Sequence, residues 1–202
     1  MIVSSLDLAK LPADWPDLEY ISLPAYVGDY WNPGSASPLD GFQYGSIMAI
    51  SVSPMARGNI SISSASMKDQ PLINPNWLTT ETDQQVAIAS FKRVRQFFNT
   101  KVLQENLLLG GEQFPGENIT TDADILASIK KNMNTLYHAT STNKMGKADD
   151  GLAVVDVHGR VYGMQNLRIV DASVFPFLPP GMPQSTVYML AEKISDDIKN
   201  GS

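Results

Sequence analysis

Apolar residues alternate with small or polar ones at two places in the first third of the chain. In "YGSIMAISVSP" Met48, Ile50 and Val52 take every second position, and in "RGNISISSA" Ile60 and Ile62 alternate with serines. A period of two predicts strands with one buried face. The intervening "SPMARG" carries turn residues, so the two stretches are expected to form a hairpin. A shorter strand-like run, "LEYISLP", precedes them within residues 1–40, which are otherwise rich in Pro, Asp, Gly and Ser and read as an irregular arm.

The period then changes. In "PNWLTTETDQQVAIASFKRVRQFFNT" Val86, Ser90, Val94 and Phe97 with Phe98 fall near one face of a helix, and Thr80 or Thr82 precedes an acidic first turn as N-cap. A second helix is expected over "DADILASIKKNM", and "GLAVVD", "GRVYG" and "NLRIVDAS" read as short strands separated by turns. The closing "STVYMLAEKISDDIKN" places Val187, Leu190, Ala191, Ile194 and Ile198 on one stripe, with Ser185 or Thr186 near the start of that helix. No internal repeat is visible.

Composition narrows the classes. With 202 residues, 43% of them hydrophobic, and a formal charge of -6, the chain reads as globular and offers no electrostatic attraction to nucleic acid or anionic membrane. No apolar run approaches the roughly 20 residues that span a bilayer, and "MIVSSLDLAKLPADW" lacks a basic n-region and a long apolar h-region. A cytoplasmic location is the default expectation. There is no cysteine, which removes disulfides, thiolate nucleophiles and cysteine metal sites together. The two histidines, His138 and His158, are too few for a zinc site built on several imidazoles, so no metal is expected.

Imidazole is the side chain suited to proton transfer near neutral pH, which makes those two residues the first acid/base candidates. His138 lies in the hydroxyl-rich "LYHATSTNKMG"; His158, in "DVHGRVYG", reads as a solvated turn residue. The tail "NLRIVDASVFPFLPPGMPQSTVYML" runs from a strand through Asp171 and a stiff proline loop into a helix start. Amides around Gln184 to Thr186 could there hold a partial negative charge, while an ordinary corner with Asp171 as a cap fits the pattern equally well. Neither G-x-G-x-x-G nor a P-loop is present in these residues.

Taken together and in order, "SPMARGNISISSASMKDQPLINPNWLTTETD", "YHATSTNKMG", "GLAVVDVHGRVYGMQNLRIVDASVFPFLPPG" and "PQSTVYMLAEKI" resemble the C-terminal part of the glucose-methanol-choline (GMC) flavoprotein oxidoreductases, nearest to fungal aryl-alcohol-type and versicolorin-synthase-like members. The resemblance covers roughly residues 40 to 200. It implies an α+β fold: a substrate-domain antiparallel sheet with flanking helices over 41–150, and C-terminal strands, loop and helix over 151–202 that would complete a flavin domain. The family's N-terminal dinucleotide fingerprint has no counterpart here, so the chain looks like the last third of such an enzyme.

Carried over by resemblance, His138 matches the family's first catalytic histidine, which takes the alcohol proton while hydride passes to FAD. Asp171 and Ala172 match the strand end near the FAD phosphate-ribose side, and Gln184 and Ser185 match the loop whose backbone faces the flavin pyrimidine ring. Pro183 lies in that loop but has no N–H to donate. Met182 departs from the family, which carries a second histidine or an asparagine at this position. A thioether is a weak acceptor and donates nothing, although it can pack against an apolar substrate. Three functions stay open on the sequence: an FAD-dependent oxidoreductase of CH–OH groups completed by a flavin-binding portion in the same or another chain; a flavin-free isomerase or cyclase of secondary metabolism using His138; and a non-catalytic truncated domain or binding module, with a partner chain or self-association covering its surface. Trp31, Trp77, Phe175 and Phe177 hint that a small-molecule substrate would be apolar or aromatic.

Overall fold

A computed structural model describes residues 6–29, 38–106 and 110–201. The chain divides into two compact units, Met1–Arg57 with Asn76–Leu136, and Gly58–Pro75 with Tyr137–Ser202. These cuts do not coincide with the expected boundaries at residues 40 and 150.

In the first unit, strand β1 (Leu18–Leu23) pairs antiparallel with β2 (Ser46–Ser51), from Leu18 opposite Ser51 to Leu23 opposite Ser46. The predicted alternation in β2 holds, since Val52 at its end is buried while Ala49 and Ser51 are exposed. Its partner is not the expected one. The "LEYISLP" strand of the arm takes the edge that the hairpin reading assigned to "RGNISISSA". The physical reason lies in the connection: Met55 N and Ala56 N both donate to the carboxylate of Asp83, at 2.7 and 2.8 Å, and this turns "SPMARG" toward a helix instead of back along β2.

That helix, α1 (Glu81–Phe98), starts at Thr80, whose hydroxyl accepts from Asp83 N at 3.1 Å. Thr82, the other candidate cap, is buried and donates to Asp7 at 2.9 Å. The predicted stripe is realised at its N-terminal half, where Val86 and Ser90 are buried; near its other end Phe97 meets Tyr20 of β1 edge to face at 5.3 Å. After α2 (Lys101–Asn106), a chain segment is tied back by Arg95, which holds Glu112 through two bonds of 2.7 and 2.9 Å and also donates to Ile119 O at 2.6 Å. Helix α3 (Asp122–Asn132), capped by Thr121, then packs on α1 through the fully buried Ile125.

In the second unit β3 (Asn59–Ser61) pairs antiparallel with β4 (Leu72–Asn74), and both strands are exposed throughout. The stretches "GLAVVD", "GRVYG" and "NLRIVDAS" do not form strands. They meet only as single bridges: Met145 with Val155, Val155 with Val161, and Arg160 with Arg168. Turns come too often for a ladder to propagate, with Gly159 and Gly163 both at positive φ. Their apolar residues nevertheless build the core, in which Val155, Val174, Phe175, Leu190 and Ile194 are buried and Met145, Val154, Val161, Ile169 and Val187 pack around them.

Helix α4 (Gln184–Lys199) supplies two of those core residues. Its stripe fits the expectation at Val187, Leu190 and Ile194, whereas Ile198, one turn on, is 56% exposed and has left the core. Two longer-range contacts hold the far end of α4. Asp197 accepts from His158 Nδ1 at 2.9 Å and from Lys193 at 2.7 Å, and Lys193 reaches Val157 O at 3.2 Å. His158 is therefore a structural staple, half-buried, and not the solvated residue expected from its turn. No helix among the described residues is long and apolar enough to cross a membrane, and no cluster of His, Asp or Glu among them could hold a metal ion.

Candidate active site at the start of helix α4

The backbone near His138 is unusual. Tyr137, just before it, has φ of 63°, and Ser141, three residues on, has φ of 71°. Non-glycine residues in this left-handed region cost on the order of 1 kcal/mol or more each and persist only where surrounding structure enforces them. Here the enforcement is a short zipper. Ser141 N, Asn143 N and Met145 N donate in turn to Ala172 O, Ser173 O and Val174 O, at 3.3, 2.9 and 2.8 Å. Asn143 Nδ2 adds a bond of 2.9 Å to Ser173 Oγ.

The zipper lies along a 3-10 turn, Ala172–Val174, whose N-cap is Asp171. Asp171 Oδ1 accepts from Ser173 N at 2.8 Å, which is the capping role that the pattern allowed. Val174 and Phe175 drive this turn into the core, so Phe175, read from the sequence as a hint of an aromatic ligand, is a packing residue. Phe177 is 55% exposed, Trp77 is exposed in the first unit, and Trp31 lies outside the described residues. The proline loop then carries the chain to Gly181, which has φ of 86° and no neighbour near where a Cβ would stand. A glycine is needed for that backbone, and the bend delivers Met182.

The outcome is a direct contact. His138 Nε2 and Met182 Sδ are 3.1 Å apart, across 44 residues of sequence. His138 is half-buried and Met182 exposed, so the pair sits at the surface of its unit with its polar atoms accessible.

Pro183, the next residue, is buried and forms the N-cap of α4 without a side-chain hydrogen bond. The first backbone bond of the helix runs from Val187 N to Pro183 O at 3.0 Å, which places the amides of Gln184, Ser185 and Thr186 ahead of the ladder. Gln184 and Ser185 are exposed. These amides, at the positive end of a 16-residue helix, can hold a partial negative charge on a ligand. Ala172 takes part in the zipper through its carbonyl, and Asp171 caps the turn that begins with it. Sequence reasoning missed Asn143 and Ser173, because a polar pair of this kind carries no signal until the two segments are known to lie side by side.

The family model for GMC oxidoreductases, C-terminal domain, matches residues 54–191. The chain is 50% identical over 194 residues to the dehydrogenase pyvF of Aspergillus violaceofuscus, covering 96% of this chain and 30% of that protein. It is 49% identical to the patulin synthase of Aspergillus clavatus, covering 95% and 30%, and 40% identical to the versicolorin B synthase of Aspergillus parasiticus, covering 96% and 29%. Among solved structures, an FAD-dependent oxidoreductase from Chaetomium thermophilum superposes with a TM-score of 0.70 at 33% identity, over 78% of this chain and 27% of that one. The chain thus spans under a third of the length of the curated relatives it matches. The expected kinship with fungal secondary-metabolism flavoenzymes is met by these matches. Fold, order of segments and family model agree that the chain belongs to the GMC oxidoreductases, and that it corresponds to their C-terminal domain.

Proposed function

We propose that this chain supplies the substrate-side acid/base group and one flavin-facing edge of an FAD-dependent oxidoreductase acting on CH–OH groups of an apolar alcohol or secondary metabolite. The observation that carries the reading is His138 Nε2 at 3.1 Å from the side chain of residue 182, beside the free first-turn amides of α4. When bound, FAD would supply the hydride acceptor. Gln184 and Ser185 would hold its pyrimidine edge through backbone N–H groups, with Pro183 shaping the loop and Asp171 and Ala172 on the ribose-phosphate side.

His138 would take the proton of the substrate hydroxyl as the C–H bond breaks. The thioether of Met182 presents an apolar wall to the substrate and no donor, so His138 is the one side chain of this pair able to move a proton. An apolar substrate and a flavin-binding portion, in the same chain or another, are the partners this reading requires.

The test joins the 202-residue chain to the N-terminal portion of a related enzyme such as patulin synthase. A yellow complex that oxidises aryl or secondary-metabolite alcohols supports the reading; a colourless pair that does not associate overturns it. A second reading, flavin-free ring closure or isomerisation with His138 as the proton-transfer group, is favoured by Met182, which weakens ordinary alcohol oxidation. Unchanged turnover in the His138→Ala form of the chain without flavin would exclude it.

A further inference from the structure

The contact between His138 and Met182 constrains where the imidazole carries its proton. A thioether sulfur has lone pairs and no hydrogen, so it can only accept. If Nε2 were unprotonated, two lone pairs would face each other at 3.1 Å; if it is protonated, the same approach is an N–H···S hydrogen bond. In the neutral ring one nitrogen is a donor and the other an acceptor, and the partner of one nitrogen fixes the role of the other.

We propose that Met182 is a positioning residue that holds neutral His138 as the Nε2–H form and leaves Nδ1 as its basic nitrogen. The inference deepens the reading of this site as the substrate-side acid/base centre, but its test does not depend on flavin or turnover. While the bond from Nε2–H to Met182 holds, Nε2 cannot take the proton of a substrate hydroxyl, so the oxidation proposed above begins only once the Nε2 proton has left for solvent or moved to Nδ1.

The chain has only two histidines, so nitrogen-15 labelling of histidine gives two ring systems. His158→Gln assigns them. Long-range proton–nitrogen correlation spectra of the full chain in mildly alkaline buffer, where free imidazole is neutral, read the proton position on each ring. In the wild type His138 is expected almost wholly as Nε2–H. Met182→Leu keeps the apolar bulk and removes the acceptor, and the excess of Nε2–H over Nδ1–H should fall several-fold. His158, whose Nδ1 lies 2.9 Å from Asp197, should stay Nδ1–H in the wild type and in Met182→Leu and serves as the internal control. A wild-type His138 protonated at Nδ1, or the same tautomer ratio in wild type and Met182→Leu, overturns the proposal. A failure of the flavin-joined protein to oxidise alcohols, with these spectra as expected, would count against the oxidoreductase reading alone.

Discussion

At the scale of single residues, the proposed function rests its proton transfer on His138. In the flavin-joined protein, His138→Ala is expected to lower kcat by about 10²–10⁴, the range associated with a positioned acid/base group, with a smaller change in KM. Steady-state kinetics on the variant checks this. A different residue governs the stability of the first unit. Asp83 is 6% exposed and its carboxylate accepts from two successive backbone amides, Met55 N and Ala56 N. Asp83→Ala leaves both amides without their acceptor and should cost about 2–4 kcal/mol, read as a lower urea midpoint. The two residues differ in how far the sequence revealed them. The sequence singled out His138 because its neighbours resemble a family pattern, and the structure sets it against Met182. Asp83 was not singled out, since an acidic residue in the first turn of a helix also serves the helix dipole and nothing local shows that it reaches a segment 27 residues away.

Helix α4 shows what an element can and cannot disclose about itself. Its apolar stripe was readable, and Leu190 and Ile194 occupy the core as expected. Its fastening was not, because His158 and Asp197 are separated by 39 residues and only the fold joins them. The carboxyl of Asp197 is held below the ordinary 3.8, chiefly by the hydrogen bond from Lys193 and then by that from His158. A carboxyl depressed by folding stabilises the folded form above its unfolded value and loses that contribution as pH falls through the lower folded one. Amide protection along the last two turns of α4 should thus hold down to about pH 4 and decline below it, and Asp197→Asn should flatten that response; hydrogen exchange localised to 190–199 reads both.

A second test of the same element uses Gly159, which lies beneath it with φ of 71°. A Cβ there would stand 2.8 Å from Ile169 O and 2.9 Å from Ile194 Cδ1. Gly159→Ala combines a disfavoured backbone with a collision against the core, and a loss of about 2–3 kcal/mol in thermal or urea unfolding is expected. The pairing of β2 with β1 belongs to this scale too. Alternation announced β2 correctly, but partner choice in a sheet depends on where the connection leads, and the Asp83 clamp settles that from outside both strands.

At the largest scale, buried apolar side chains are few among the described residues. Among the described residues only Val52, Val86 and Ile125 fill that role in the first unit, beside the polar Thr82, Asp83 and Ser90. Meanwhile Leu72, Ile73, Met164, Phe177, Tyr188 and Met189 are at least half exposed. Apolar surface left to water binds a fluorescent hydrophobic probe, so the isolated chain is expected to enhance ANS emission under native conditions, well beyond a monomeric globular protein of equal mass. A null ANS response together with sharp, cooperative melting would contradict this. Composition could not have shown it, because 43% hydrophobic residues is ordinary and says nothing of how many find cover.

The division into two units follows an order along the chain that has a bearing on synthesis. Residues 58–75 belong to the second unit although they interrupt the first, and the remainder of the second unit begins only at Tyr137. When Leu136 leaves the ribosome every part of the first unit is available, whereas residues 58–75 are out long before Val155, Val174 and Ile194, the core residues of the unit to which they belong. Splitting the gene at the 136/137 junction would strand those strands on the wrong polypeptide. The halves could be produced separately only by moving the 58–75 coding segment to the second piece.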